Sequence, residues 1–223
     1  MNVSIATSTV ADGSMLTASD PANTTIIDNR ARWLTSQGIA MNDATRVKIS
    51  YQTTDYCRYF EVTDSQKGDG MFDEGTTAAD ALVTRFSHHA LFLPLADCVG
   101  AAIYDPAMHI LMLSHLGRHS LEQNGGLESV NYLVNRYGCD ASRLKVWLTP
   151  APGRKNYPLF AFDNRAFKDV VLSQLRAAGI RADNISDDSS DTTTDLRYFS
   201  HSQYLKGNRP EDGRYAIVAS MGD

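Results

Sequence analysis

A thiol and an imidazole stand at the ends of two adjacent apolar runs: Cys98 heads one run and His115 closes the next. Between the runs, Tyr104-Asp105-Pro106 is a turn signal. They therefore read as neighbouring strands that bring both side chains to one rim of a sheet. A cysteine and a histidine within reach make either a nucleophile with its base or two arms of a metal site. The plainer readings are a small core hydrophobe and a solvated histidine. Asp97 precedes the cysteine, and Asp80 opens another apolar run. A carboxylate at a strand end can orient an imidazole, move a proton or cap a turn. Catalytic zinc takes three protein ligands and a water. The candidates for a third ligand are His119, His88, His89 and Cys57. Arg197, Tyr198 and His201 cluster before the last apolar run, and Arg214 follows Asp212-Gly213. These could hold an anion or simply be solvated. The sequence contains no HExxH, CxxC, GxGxxG, P-loop or G-x-S-x-G motif.

The elements that must position these groups follow from periodicity. Residues 3–10 alternate and read as a strand, followed by a Gly/Ser/Asp/Pro loop over 11–24. A helix follows, capped by Thr24 or Thr25 and stopped at Gly38, with Ile27, Ala31 and Leu34 inward. Strands are expected at 46–53 (Val47, Ile49 and Tyr51 on one face) and 57–63, then a polar, glycine-rich loop over 65–80. Four apolar strands come in quick succession over 81–115. A helix over 120–137 ends at Gly138, and a strand at 143–149 runs into a Pro/Gly turn. Asp163 caps a further amphipathic helix whose inward face is Phe167, Val170, Val171 and Leu175 and whose stop is Gly179. The acidic tract 182–195 reads as loop, and 214–221 as a final strand. Strands and helices mix without a strict βαβ repeat, which predicts an α+β fold or a mixed-sheet α/β sandwich, as one domain over 1–223.

With 43% hydrophobic and 21% charged residues, the composition is that of an ordinary globular domain. A formal net charge of -5 without any basic run argues against nucleic acid or an anionic membrane as partner. Three widely spaced cysteines make no disulfide framework and suit a reducing compartment. No signal peptide or span-length apolar window is present, so a cytoplasmic protein acting on a small molecule, as a monomer or weak homodimer, is expected.

Several pieces, in order, resemble the bacterial laccase-domain proteins, described also as multicopper polyphenol oxidases, peptidoglycan-editing factors and purine nucleoside phosphorylases with adenosine deaminase activity. They are Ser8-Thr9 with Gly13-Ser14, Asn29-Arg30, Gln52, Asp80-Ala81-Leu82-Val83-Thr84 and Ala96-Asp97-Cys98. His115-Leu116-Gly117, Thr149-Pro150-Ala151, Phe199-Ser200 and Gly213-Arg214 complete the set. The resemblance implies the laccase-domain fold and a zinc-dependent reaction on a purine nucleoside with phosphate or water. Cys98 and His115 would be metal ligands, Asp80 and Asp97 would orient a ligand or move a proton, and Gln52, His119 and Arg214 would lie against the substrate.

The departures fall on polar positions. Thr54 stands where the family has its first histidine ligand. Val10 replaces an arginine, the family's W-R-G reads Arg118-His119-Ser120, and its F-S-x-R-R reads Phe199-Ser200-His201-Ser202-Gln203. A threonine hydroxyl is a poor zinc ligand, and lost arginines remove bidentate anion partners. The resemblance therefore implies a kept fold with an altered site. Two alternatives follow. One is a metal-free cysteine hydrolase or deamidase using Cys98 and His115, as in the similarly built cytotoxic necrotizing factor-type toxin domains. The other is a catalytically silent ligand-binding protein.

Overall fold

The apolar runs become strands buried on both faces. The structure, a computed structural model, describes residues 2–16 and 22–222, so part of the expected 11–24 loop lies outside the described residues. The strands are β1 (Val3–Thr7), β2 (Ala44–Arg46), β3 (Tyr59–Glu61), β4 (Ala81–Thr84) and β5 (Ala90–Leu95). They continue as β6 (Val99–Asp105), β7 (Ile110–Leu116), β8 (Lys145–Leu148), β9 (Ile185–Asp187) and β10 (Tyr215–Met221). The helices are α1 (Thr24–Ser36), α2 (Arg118–Glu122), α3 (Gly125–Tyr137), α4 (Phe167–Ala177) and α5 (His201–Leu205). Two mixed sheets result, one ordered β1-β10-β5-β2 and the other β3-β4-β7-β6-β8-β9.

Side-chain alternation sorts these strands into layers. Leu91, Leu93 and Leu95 of β5 meet Leu111 and Leu113 of β7 between the sheets. Phe92 of β5 and Val218 of β10 pack outward on Trp33 and Leu34 of α1. Ala101 and Ile103 of β6 pack the other way, on Val130 and Leu133 of α3 and Val171 and Leu175 of α4. The order is helix, sheet, sheet, helices. Because the central strands have no solvent face, their sequences are nearly continuous in apolar residues.

Several expected boundaries move. The strand expected at 46–53 ends at Arg46 and gives way to an irregular segment. Asn23, not a threonine, caps α1 by accepting from the Ile26 N–H at 3.3 Å. The helix expected over 120–137 is two helices, broken at Asn124 with φ +60°. Asp163 is itself left-handed at φ +53° and does not cap α4, whose N-cap is Ala166. The acidic tract carries the short edge strand β9, drawn in by parallel pairing with β8.

The two resemblance residues of α1 hold loops. Asn29 Nδ2 donates to the Ser14 carbonyl at 3.0 Å. The fully buried Arg30 donates to the carbonyls of Met15 at 2.7 Å and Met71 at 2.8 Å. Arg46 Nε donates to the Gly70 carbonyl, and its Nη2 to those of Asp73 and Glu74. The glycine-rich 65–80 segment is thus tied to the body of the protein by buried guanidinium groups.

Gly100 of β6 faces the other sheet at close range. A Cβ there would lie 2.8 Å from Leu95 Cδ1 and 2.9 Å from Ile217 Cγ2, both across the sheet interface. Overpacking such a contact forces side chains off their rotamers. Gly100→Ala should lower the unfolding free energy by about 1–3 kcal/mol in urea titrations, and an unchanged midpoint would contradict this packing.

Candidate functional site

The antiparallel register of β6 and β7 places Gly100 opposite His115. Cys98 shares the side-chain parity of Gly100 and Ala102, and His115 that of Leu113, so both point to the space between the sheets, at its end. Their convergence can be read from Gly117. A Cβ on that residue would sit 2.7 Å from His115 Cε1, 3.2 Å from Cys98 Sγ and 3.3 Å from His115 Nε2. Only glycine fits beside the pair. The sequence reading that brought the two together is correct in geometry.

The pair forms part of the wall of a cavity of about 570 Å3. Asp97, Arg118, His119, His201 and Arg214 line it as well. So do Val47, Ile49 and Tyr51, which share a face as their alternation implied, although the chain there is not a strand. Gln52 and Thr54 are exposed and do not line the cavity. Gln123 straps this segment down: its amide donates to the Thr54 carbonyl at 2.7 Å and accepts from the Tyr56 N–H at 2.8 Å. His119 stacks on Tyr56 with ring centroids 4.8 Å apart and faces Glu122 at 3.7 Å.

Both carboxylates expected to do chemistry are fully engaged. Asp80 is buried and paired with Arg58, at 2.8 Å from Nε and 3.2 Å from Nη2, and its carbonyl accepts the His115 N–H at 2.8 Å. Asp97 is buried at φ +77° and accepts from Thr192 Oγ1 at 2.8 Å, Ser200 Oγ at 2.7 Å and the Ser202 N–H at 2.7 Å. These contacts tie Asp80 to Arg58 and Asp97 to the Thr192–Ser202 segment.

Burial keeps the central pair neutral. It pushes the Cys98 thiol up to about 12, helped by the Asp97 charge and opposed by Arg214 and by the Arg118 backbone and charge. It pushes His115 down to about 4, against the pull of Asp80. Sequence reasoning missed the tyrosines. Tyr157 lines the cavity and its phenol is raised by burial and then by Cys98, and Tyr51 lines it with most of its side chain exposed. The available signals were an aromatic beside Gln52 and another just beyond the Pro150–Gly153 turn.

Do these donors fit zinc? A thiol and a neutral imidazole are the right kinds, because a metal takes the thiolate and the unprotonated ring. The third is lacking. Thr54 is exposed and off the cavity, His89 is buried against Thr45 at 2.8 Å, Cys57 and His88 do not line the cavity, and His119, which does line it, is stacked on Tyr56 and faces Glu122. Among the described residues no group of three His, Cys, Asp or Glu side chains could hold a metal ion. The residues present do not fit a zinc with three protein ligands.

Two mixed sheets packed face to face between helices, with a cysteine and a histidine meeting at the end of the sheet pair, define a laccase-domain fold. The family model for multi-copper polyphenol oxidoreductase laccase matches residues 10–169, and the chain belongs to that family. Solved structures carry the same fold. The chain is similar to a hypothetical protein, YfiH, of Bacillus licheniformis, with a TM-score of 0.83 and 21% identity over 98% of this chain and 92% of that one. It is similar to YlmD of Geobacillus stearothermophilus, with a TM-score of 0.79 and 21% identity over 90% of this chain and 81% of that one. It is similar to protein NMB0706 of Neisseria meningitidis, with a TM-score of 0.75 and 14% identity over 100% and 95%. No curated protein matches it. Among the described residues no helix is long and apolar enough to cross a membrane.

His115 and the fully buried His89, each pushed down to about 4, make stability depend on pH. A lowered folded-state value means the unfolded chain binds protons first, so the stabilisation is complete above about pH 6.5 and is lost as pH falls toward 4. Each histidine should contribute up to about 3 kcal/mol to that loss. Urea titrations of the wild type and His115→Gln between pH 7 and pH 4.5 test this. The variant should show a shallower decline, and an identical slope would mean that His115 is not desolvated.

Proposed function

We propose that this chain binds a purine-nucleoside-sized ligand in the cavity over the neutral Cys98–His115 pair, without the three-ligand zinc chemistry that the family resemblance implies. The observation that carries this reading is the cavity itself. Its volume of about 570 Å3 is in the range of small-molecule sites. Tyr51, Tyr56 and Tyr157 offer aromatic surface for a base. Lys48, Arg118 and Arg214 outnumber Glu74 and Asp97 on its walls, which suits a ligand or co-ligand bearing an anionic group such as phosphate. The purine preference comes from the family.

The same electrostatics weigh against a metal-free cysteine hydrolase. Burial raises the thiol and lowers the imidazole, so both shifts oppose moving the proton from Sγ to the ring. A working thiolate–imidazolium pair needs the two pKa values close together.

Isothermal titration of the full chain with inosine and with adenosine, each with and without phosphate, tests the proposal. Saturable binding of one nucleoside is expected, weakened about tenfold, or about 1.4 kcal/mol, by Arg214→Ala. Absence of binding at millimolar nucleoside in all four titrations would overturn it.

A further inference from the structure

We propose that His201, held by Asp212, is the proton-accepting group of this cavity, and that the ligand presents a hydroxyl or ring N–H to its Nε2. His201 stands at the unspecified position of the F-S-x-R-R motif, beside the lost arginines, and the reading of the cavity around Cys98 and His115 makes no use of it.

Three observations converge on it. First, His201 Nδ1 lies 2.8 Å from Asp212 Oδ1, and Arg214 Nη1 reaches the same oxygen at 2.6 Å. Against burial, which raises it, the hydrogen bonds of Arg214 and His201 hold Asp212 below the usual carboxylate range. An ionised carboxylate only accepts, so the proton of this contact sits on Nδ1. In the neutral ring that leaves the lone pair on Nε2.

Second, Nε2 is free. His201 lines the cavity, and among the described residues its only hydrogen bond is the one through Nδ1. The charged side chains Asp97 and Lys48 beside it are engaged, Asp97 by three donors and Lys48 by Glu74 at 3.0 Å and the Gly75 carbonyl at 3.0 Å.

Third, the residue is pinned from both sides. Ser200 Oγ and the Ser202 N–H both donate to Asp97. Ser200 also caps α5 by accepting from the Gln203 N–H at 3.3 Å. Asp97 is covalently next to Cys98. One carboxylate therefore sets the position of His201 relative to the cysteine across the cavity. Such fixed placement is what a proton-transfer group requires.

In the step this permits, a ligand O–H or N–H, or a water held by the ligand, gives its proton to Nε2. The electron pair stays on the ligand or water oxygen or nitrogen. The imidazolium so formed is stabilised by the Asp212 carboxylate, and nothing is oxidised or reduced. Cys98 and His115, both held neutral by burial, serve in this arrangement as floor.

The tautomer claim stands by itself, whereas the ligand claim rests on the nucleoside reading above. Nitrogen-15 spectra of the imidazole rings in the full chain test the first, with His201→Phe assigning the signal. Protonated Nδ1 and unprotonated Nε2 are expected at pH 8, with Asp212→Asn moving the ring toward the opposite tautomer. A wild-type ring protonated at Nε2 overturns the proposal. Titration with inosine tests the second: the Nε2 resonance should move, and His201→Phe should weaken binding at least tenfold while leaving the melting temperature within about 2 °C. If inosine binds and the resonance stays still, His201 is not the acceptor. If inosine fails to bind the wild type at all, the nucleoside reading and the ligand claim fall together, and the tautomer result still decides which nitrogen carries the proton.

Discussion

The site depends on one carboxylate. Asp97 sits in the left-handed region between β5 and β6, a conformation that non-glycine residues adopt only when their surroundings hold them there. What holds it is the set of three hydrogen bonds from Thr192, Ser200 and Ser202, all donated by the segment between β9 and α5 and its first residues. That contact joins the strand turn presenting Cys98 to the loop and helix presenting His201. It is a direct tie between these two walls of the cavity. The buried polar network satisfies all of its members, the condition under which such a network specifies one arrangement.

The second constraint is the sandwich itself. With both sheets covered on both faces, the end of the inter-sheet space is a low-dielectric pocket, and charge is disfavoured there. The consequence is chemical: the thiol rises, the imidazole falls, and the two groups that first suggest catalysis are neutral at physiological pH. Charge is retained instead at the less buried rim, where Arg118, Arg214 and the Asp212–His201 pair stand. The family's fold thus persists around a site whose polar centre of gravity lies nearer the mouth of the cavity than its floor.

Much of this was legible in the sequence, and the failures have physical causes. The Cys98–His115 meeting followed from a turn signal and strand parity, both local rules. The buried face of α4 followed from its 3.6-residue period. The 46–53 alternation signals one buried face and not a ladder: backbone pairing continues only through Val47 and Lys48, and Gln123 holds the chain again at Thr54 and Tyr56. Asp163 has the chemistry of a cap, but its left-handed backbone places it before the helix, in a turn. The contacts of Asp80 and Asp97 were invisible because their partners lie far along the chain, Asp97's about a hundred residues on. His201 was noticed as part of a polar cluster. Its pairing with Asp212 depends on how α5 folds back toward the approach to β10, which no local period encodes.

The central claim is that Cys98 and His115 form a neutral pair with no third ligand beside them among the described residues, a donor set that does not fit a three-ligand zinc. Zinc content of the full chain, purified without chelator from zinc-supplemented cells and compared with Cys98→Ala, tests it most directly. The account predicts zinc well below stoichiometric and equal in the two proteins. Stoichiometric zinc in the wild type that disappears in Cys98→Ala would contradict it.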